Sequence, residues 1–278
     1  MRNLVLGSLL ILAWMCASCS SGPRPPEPGT PAFLWGAAKA TYHSGDFRKA
    51  SENLAQLIQT DNEFTARARP LSLVLSAGLA QGYFDMAESY EAGAQANRAN
   101  PTPFRKQVSA SRSVASQEAL EFAQEMQVFL AKDNEPNVTL ACEYPTGSMG
   151  DPPGILRVSK GMLLPDAERD QLEQAMLQHG VAGTMSRILG TPDDAAKTLE
   201  LFKTGEATVP RATFLYGAAK ALHDLSALYA PTRLDLPNRL KVLDQEALEA
   251  LKTVPETKQT KALTNRIQAA LKKSGPTT

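Results

Sequence analysis

Residues 33–50 read FLWGAAKATYHSGDFRKA, and residues 214–221 read FLYGAAKA: one octapeptide is written twice, with Trp35 exchanged for Tyr216. The first copy opens an apolar-periodic run through Leu34, Ala37, Ala38 and Thr41. A second run follows through Phe47, Ala50, Leu54, Leu57 and Ile58, and both have helical spacing. Between them, Gly45 supplies a residue tolerant of a left-handed turn and Asp46 a side chain able to cap the next helix. The stretch predicts a helical hairpin. Gly36, Ala37 and Ala40 are spaced to let backbones approach, with Phe33 and Leu34 filling the groove ahead. Gly217, Ala218 and Ala221 repeat the pattern behind Phe214 and Leu215, so both copies read as the first helix of related hairpins.

The next stretch, PLSLVLSAGLAQGYFDMAESYEAGAQANRANP, carries Leu73, Val74, Ala77 and Ala80, then Gly82, then Phe84, Ala87, Tyr90 and Ala94. Gly45 and Gly82 lie 37 residues apart, and each is followed by Phe after two residues and Ala after five. A second hairpin turning at Gly82 is the expectation. In Ala38, Gly45, Asp46, Phe47 and Ala50, and again in Gly82, Phe84, Ala87 and Ala94, the chain resembles the tetratricopeptide (TPR) repeat, whose period is about 34 residues. Leu34 and Thr41 stand where that family usually has Trp and Tyr. The resemblance covers 32–132 at most. It implies an all-α, solenoid-like array of helical hairpins that offers a surface to protein partners.

Downstream, RKQVSASRSVASQEALEFAQEMQVFLAK is a long amphipathic helix. Residues 133–165 change character. NVTLACEYP and GILRVSKGMLL are β-leaning runs joined by turn residues, so a short β-hairpin insertion near 137–164 is expected. Residues 166–274 return to helix: one ending near His179 before Gly180, one capped by Thr191 with Pro192 in its first turn, the second octapeptide with Gly217 and Ala219, a Pro-punctuated loop, and two final helices.

The N-terminus addresses location. Arg2 precedes the apolar stretch LVLGSLLILAWM, long enough for a secretion signal and short for a membrane-spanning helix. CASCSSG follows. Ala17-Ser18-Cys19 resembles the end of a bacterial lipoprotein signal, which implies cleavage after residue 18 and lipidation, including palmitate, of Cys19. Cys16 stands where that signal usually has Leu. Cys16 is itself the other lipidation candidate, although Trp14 and Met15 suit the signal poorly, and simple secretion after cleavage near Ser18 is a third reading. Residues 20–31, SSGPRPPEPGTP, read as an extended tether. Ser20 after the lipidated cysteine implies the outer membrane in a cell with two membranes.

Lys+Arg and Asp+Glu number 29 each and the pI is near 6.8, which argues against a nucleic-acid partner. Cys142 is left alone once Cys16 is removed and Cys19 is occupied, and reads as a buried small hydrophobe. No two histidines have metal-ligand spacing, and neither a Gly-x-Ser-x-Gly elbow nor a phosphate loop is present. His43 and His223 read as helix-end surface positions, and the sequon at Asn137 carries little weight. No cofactor, metal or catalytic residue is assigned. The expectation is a lipid-anchored envelope protein that binds a protein partner, with a homo-oligomer left open. The alternative is a small-ligand or lipid-binding subunit of an envelope transporter.

Overall fold

The computed structural model describes residues 26–145, 150–192 and 194–273. Cys16, Cys19 and residues 20–25 of the tether lie outside the described residues. The chain is mainly α-helical, with one two-stranded sheet among the described residues. In chain order the elements are α1 (Pro31–His43), α2 (Phe47–Leu57), α3 (Thr65–Ala96), α4 (Thr102–Lys132), β1 (Asn137–Leu140), α5 (Ile155–Ser159), α6 (Asp166–Ile188), α7 (Ala195–Leu201), β2 (Ala207–Pro210), α8 (Arg211–Ser226), α9 (Pro237–Lys252) and α10 (Lys258–Lys273).

The first hairpin forms as its residues dictate. Thr30 accepts the Phe33 amide at 3.3 Å and starts α1. Gly45 takes φ +81° in the turn, and Asp46 accepts the Lys49 amide at 3.0 Å to start α2. Tyr42 and Phe47 meet edge to face across the turn at 5.3 Å, and Ala38 and Ala50 are fully buried.

The second hairpin does not form. α3 runs unbroken for 32 residues, and Gly82 sits in its interior. The reason is packing. A Cβ on Gly82 would stand 2.7 Å from the Met176 carbonyl oxygen of α6, and one on Gly78 would stand 2.6 Å from the Val181 Cα. Facing them, Gly180 would place a Cβ 2.6 Å from the Gly82 amide nitrogen. Three glycines therefore let two helices cross at backbone contact. Accordingly α6 runs straight through His179 and Gly180 to Ile188 instead of ending there. Phe84 and Ala87 are buried on α3, which is buried nearly all round and lies against α4, α6, α2 and α5.

The β-hairpin expected inside 133–165 is also replaced. Asn137–Leu140 pairs antiparallel with Ala207–Pro210, with Val138 opposite Val209. Residues 155–159 are helical rather than extended, launched by Gly154 at φ +86°. Asp194, not Thr191, caps α7 by accepting the Lys197 amide at 2.9 Å. Thr191 is buried, and its hydroxyl pairs with that of Thr198 at 2.7 Å. The second octapeptide does head a hairpin, α8 packing along α9.

Candidate functional site

An extended concavity follows the last three turns of α6 and the outer face of α8. One cavity of about 730 Å³ is lined by Tyr144, His179, Gly183, Ser186, Arg187, Pro192, Asp194 and Lys220. A second of about 470 Å³ continues past Gly190, Thr213, Tyr216, Gly217, Pro255 and Thr260, and the two share Arg187, Pro192 and Lys220. Together they form one half-open groove.

Glycine builds it. A Cβ on Gly217 would stand 2.5 Å from the Ile188 Cα, so α8 rests directly on the end of α6. Gly190 closes α6 at φ +77°, where a side chain would be strained, and turns the chain toward Pro192. Gly183 meets nothing nearer than an Arg187 guanidinium nitrogen at 3.8 Å, which leaves the groove floor as open backbone.

The rim is charged. Lys220 Nζ lies 2.6 Å from Asp224 Oδ2, and Arg187 Nη1 approaches the same oxygen at 3.7 Å. Arg187 Nε donates to the Gly183 carbonyl at 3.2 Å, which fixes the guanidinium over the floor. Asp85 on α3 lies close enough to feel Arg187 and His179. Burial nevertheless raises its carboxyl above the usual range, and its Oδ1 accepts from Gln81 at 2.7 Å. Beneath the groove the hydroxyls of Tyr144, Ser186, Thr198 and Thr191 form a chain with links of 3.2, 3.0 and 2.7 Å. The arrangement can take a ligand with both apolar surface and anionic or amide groups.

A second concavity runs between α2 and α4, over Arg48, Ser51, Gln56, Glu118 and Glu121 and on to Arg69 and Glu125. Burial raises the Glu125 and Glu118 carboxyls to about 7 and pushes Glu121 up as well. Glu125 accepts from the Ser72 and Ser76 hydroxyls of α3, the latter at 2.8 Å. No group of His, Cys, Asp and Glu among the described residues could hold a metal ion.

Of the residues singled out from sequence, Gly45, Phe47, Ala38 and Ala50 meet in the α1–α2 hairpin. Gly82, Phe84 and Ala87 lie on central α3, and Gly217 and Ala219 on α8 beside the groove. Gly36 packs against nothing: no atom stands within 4 Å of its would-be Cβ. Ala40 and Phe33 of the same helix are exposed too, because α1 lies at the edge and leans chiefly on α2. Cys142 is buried, and burial pushes its thiol up to about 12. The two histidines part company. His43 is exposed, 3.6 Å from Glu143, while His223 is largely buried with Nδ1 2.8 Å from Oδ1 of fully buried Asp244. Sequence reasoning missed Tyr144, Arg187 and Lys220. Lys220 was visible as the lysine of the second octapeptide, whereas Tyr144 and Arg187 carried no local signal.

No helix among the described residues is long and apolar enough to cross a membrane. Comparison of the chain with protein-family models, with curated proteins and with solved structures finds no match.

Proposed function

We propose that this chain is an envelope lipoprotein, anchored through lipid on Cys19 and tethered by residues 20–31, whose helical body binds a protein partner along the groove between α6 and α8. The TPR-like reading of 32–50 and the outer-membrane address implied by Ser20 belong to this proposal. So does the absence of a catalytic role. The observation that carries it is the groove's construction: an open glycine floor, the apolar faces of Tyr144, Tyr216 and Pro192, and Arg187 and Lys220 held at the rim. Such a trough accepts an extended or helical segment by backbone and side-chain contacts together.

A photo-crosslinking residue at Tyr216, in the lipidated chain in its own membranes, tests this. One stoichiometric protein adduct is expected, weakened by Lys220→Glu and absent when Gly183→Trp blocks the groove. Recovery of a recurrent small molecule or lipid instead would favour the alternative of a ligand-binding transporter subunit. The cavity of about 730 Å³ supports that second reading, because it falls within the range of small-molecule sites. Mass spectrometry of the N-terminal peptide tests the anchor separately: a diacylglyceryl modification on Cys19 is expected, and the same group on Cys16 would contradict the chosen cysteine.

A further inference from the structure

Three large apolar side chains that the fold leaves outside fall within eight consecutive residues: Leu156 is 63% exposed, Met162 47% and Leu163 42%. The segment is not loosely attached. Val158 is fully buried and Leu164 nearly so. Gly93 notches α3 at this point, since a Cβ there would collide with the Val158 carbonyl oxygen and approach the Phe104 ring at 2.7 Å. Gly161 turns at φ +83° against Asn97, whose Nδ2 donates to the Gly161 carbonyl at 3.1 Å. The interior has taken Val158 and Leu164 and holds their neighbours outward on a fixed knuckle.

The chemistry of the patch selects its occupant. Arg157 is paired with Glu168 at 2.6 Å and Arg169 with Asp166 at 2.7 Å. Lys160 has no acidic partner among the described residues, and Asp151 and Asp170 stand in the surrounding sequence. Charge is therefore near balance and gives little to steer a charged partner. Three side chains are also far short of the roughly 800 Å² per side that a stable protein interface needs. Apolar tips of this size suffice where proximity is already supplied. The chain from Cys19 to Pro31 spans at most about 40 Å, which holds the body beside its lipid at millimolar effective concentration.

We propose that residues 155–163 are a membrane-contacting knuckle that inserts Leu156, Met162 and Leu163 into the lipid surface to which the chain is anchored. This rests on the lipid-anchor reading above. A consequence concerns orientation. The knuckle sits at the Gly93–Asn97 end of α3, while Trp35 of α1 stacks on Phe64 at 6.0 Å just before the other end. A helix of 32 residues is about 48 Å long. That is comparable with the reach of the tether, so with the knuckle seated an upright α3 would draw the tether close to full extension, and an inclined α3 relaxes it.

The test uses the chain from Cys19 onward, which keeps every described residue, coupled through Cys19 to a maleimide-bearing lipid in phosphatidylethanolamine–phosphatidylglycerol vesicles. Met162→Trp reports on the knuckle and Leu236→Trp on another exposed apolar site. Brominated lipid should quench the emission added by Met162→Trp and leave that added by Leu236→Trp unchanged. Leu156→Asp or Leu163→Asp should each lower the inserted fraction about tenfold, with folding checked by circular dichroism. Replacing phosphatidylglycerol with phosphatidylcholine should change little. Equal quenching at both positions, or quenching at neither, would overturn the knuckle. Native Cys19 found without lipid would remove the anchor reading instead, because the coupled lipid makes the quenching result independent of it.

Discussion

The two copies of the octapeptide show how little of a helix's role its own letters determine. In α1, Phe33 is 39% exposed and Gly36 faces open space. In α8, the matching Phe214 is fully buried and packs on Phe129 at 5.3 Å, and Gly217 sits on the backbone of Ile188. α1 meets chiefly its hairpin partner, whereas α8 is wrapped by α6, α9, α4, α3 and both strands. Gly36 and Ala40 face solvent at the edge, whereas the matching Gly217 and Ala221 are buried in the interior. The number of neighbours, set by the rest of the chain, makes the difference.

The sharpest way to break this comparison is to truncate the aromatic in both copies. Phe214→Ala should cost about 3–5 kcal/mol in urea unfolding, against about 0.5 kcal/mol or less for Phe33→Ala. Similar losses at the two positions would refute the assigned burial. Next come the histidines. His223→Ala leaves the Asp244 carboxylate buried without its partner and should cost about 3 kcal/mol, while His43→Ala should stay within about 0.5 kcal/mol. His223→Asn, which can still donate to Asp244, should recover part of the loss.

The glycines reverse sign. Gly217→Ala forces α8 off Ile188 and should destabilise by about 1–3 kcal/mol. Gly36→Ala meets no obstacle and removes glycine's entropic cost in a helix, so it should stabilise by about 0.5–1 kcal/mol. A thermal melt of each variant decides.

A pH dependence contrasts the α2–α4 wall, near the edge hairpin, with the interior. Glu125 and Glu118 have folded-state values raised to about 7 from the ordinary 4.5. Between those values the folded chain binds more protons than the unfolded one, so stability is fully present below about pH 4.5 and falls as pH rises toward 7. Each carboxyl's shift corresponds to at most about 3 kcal/mol, and solvent screening at the partly exposed Glu118 makes its share smaller. Glu125→Gln should flatten it, and an unchanged slope in that variant would show that the carboxyl does not carry the effect.

The sequence made the helical class legible, because Ala-rich, apolar-periodic runs have few other uses, and it located the α1–α2 turn to the residue. That turn had both a glycine and a capping Asp46. Gly82 had the glycine but Tyr83 after it, and no cap to satisfy a new helix's first amides. The missing cap was the local hint that the chain continues, and the remote reason was Gly180, nearly a hundred residues away. β1 was readable as extended, yet its partner is the short ATVP segment ahead of the second octapeptide, a pairing no local pattern reveals. Of the candidate groove, Gly217 was legible as a close-approach position. Arg187 and Tyr144 were not, since their placement depends on the α6–α8 crossing and on the turn into α7.

Hydrogen exchange of the native chain, followed by mass spectrometry over peptides spanning 33–43 and 214–226, tests the central claim in a single sample. If α8 belongs to the interior and builds the groove while α1 is peripheral, amides of 214–226 exchange only with global unfolding, and those of 33–43 exchange faster through local opening. Equal protection of the two segments would contradict the account.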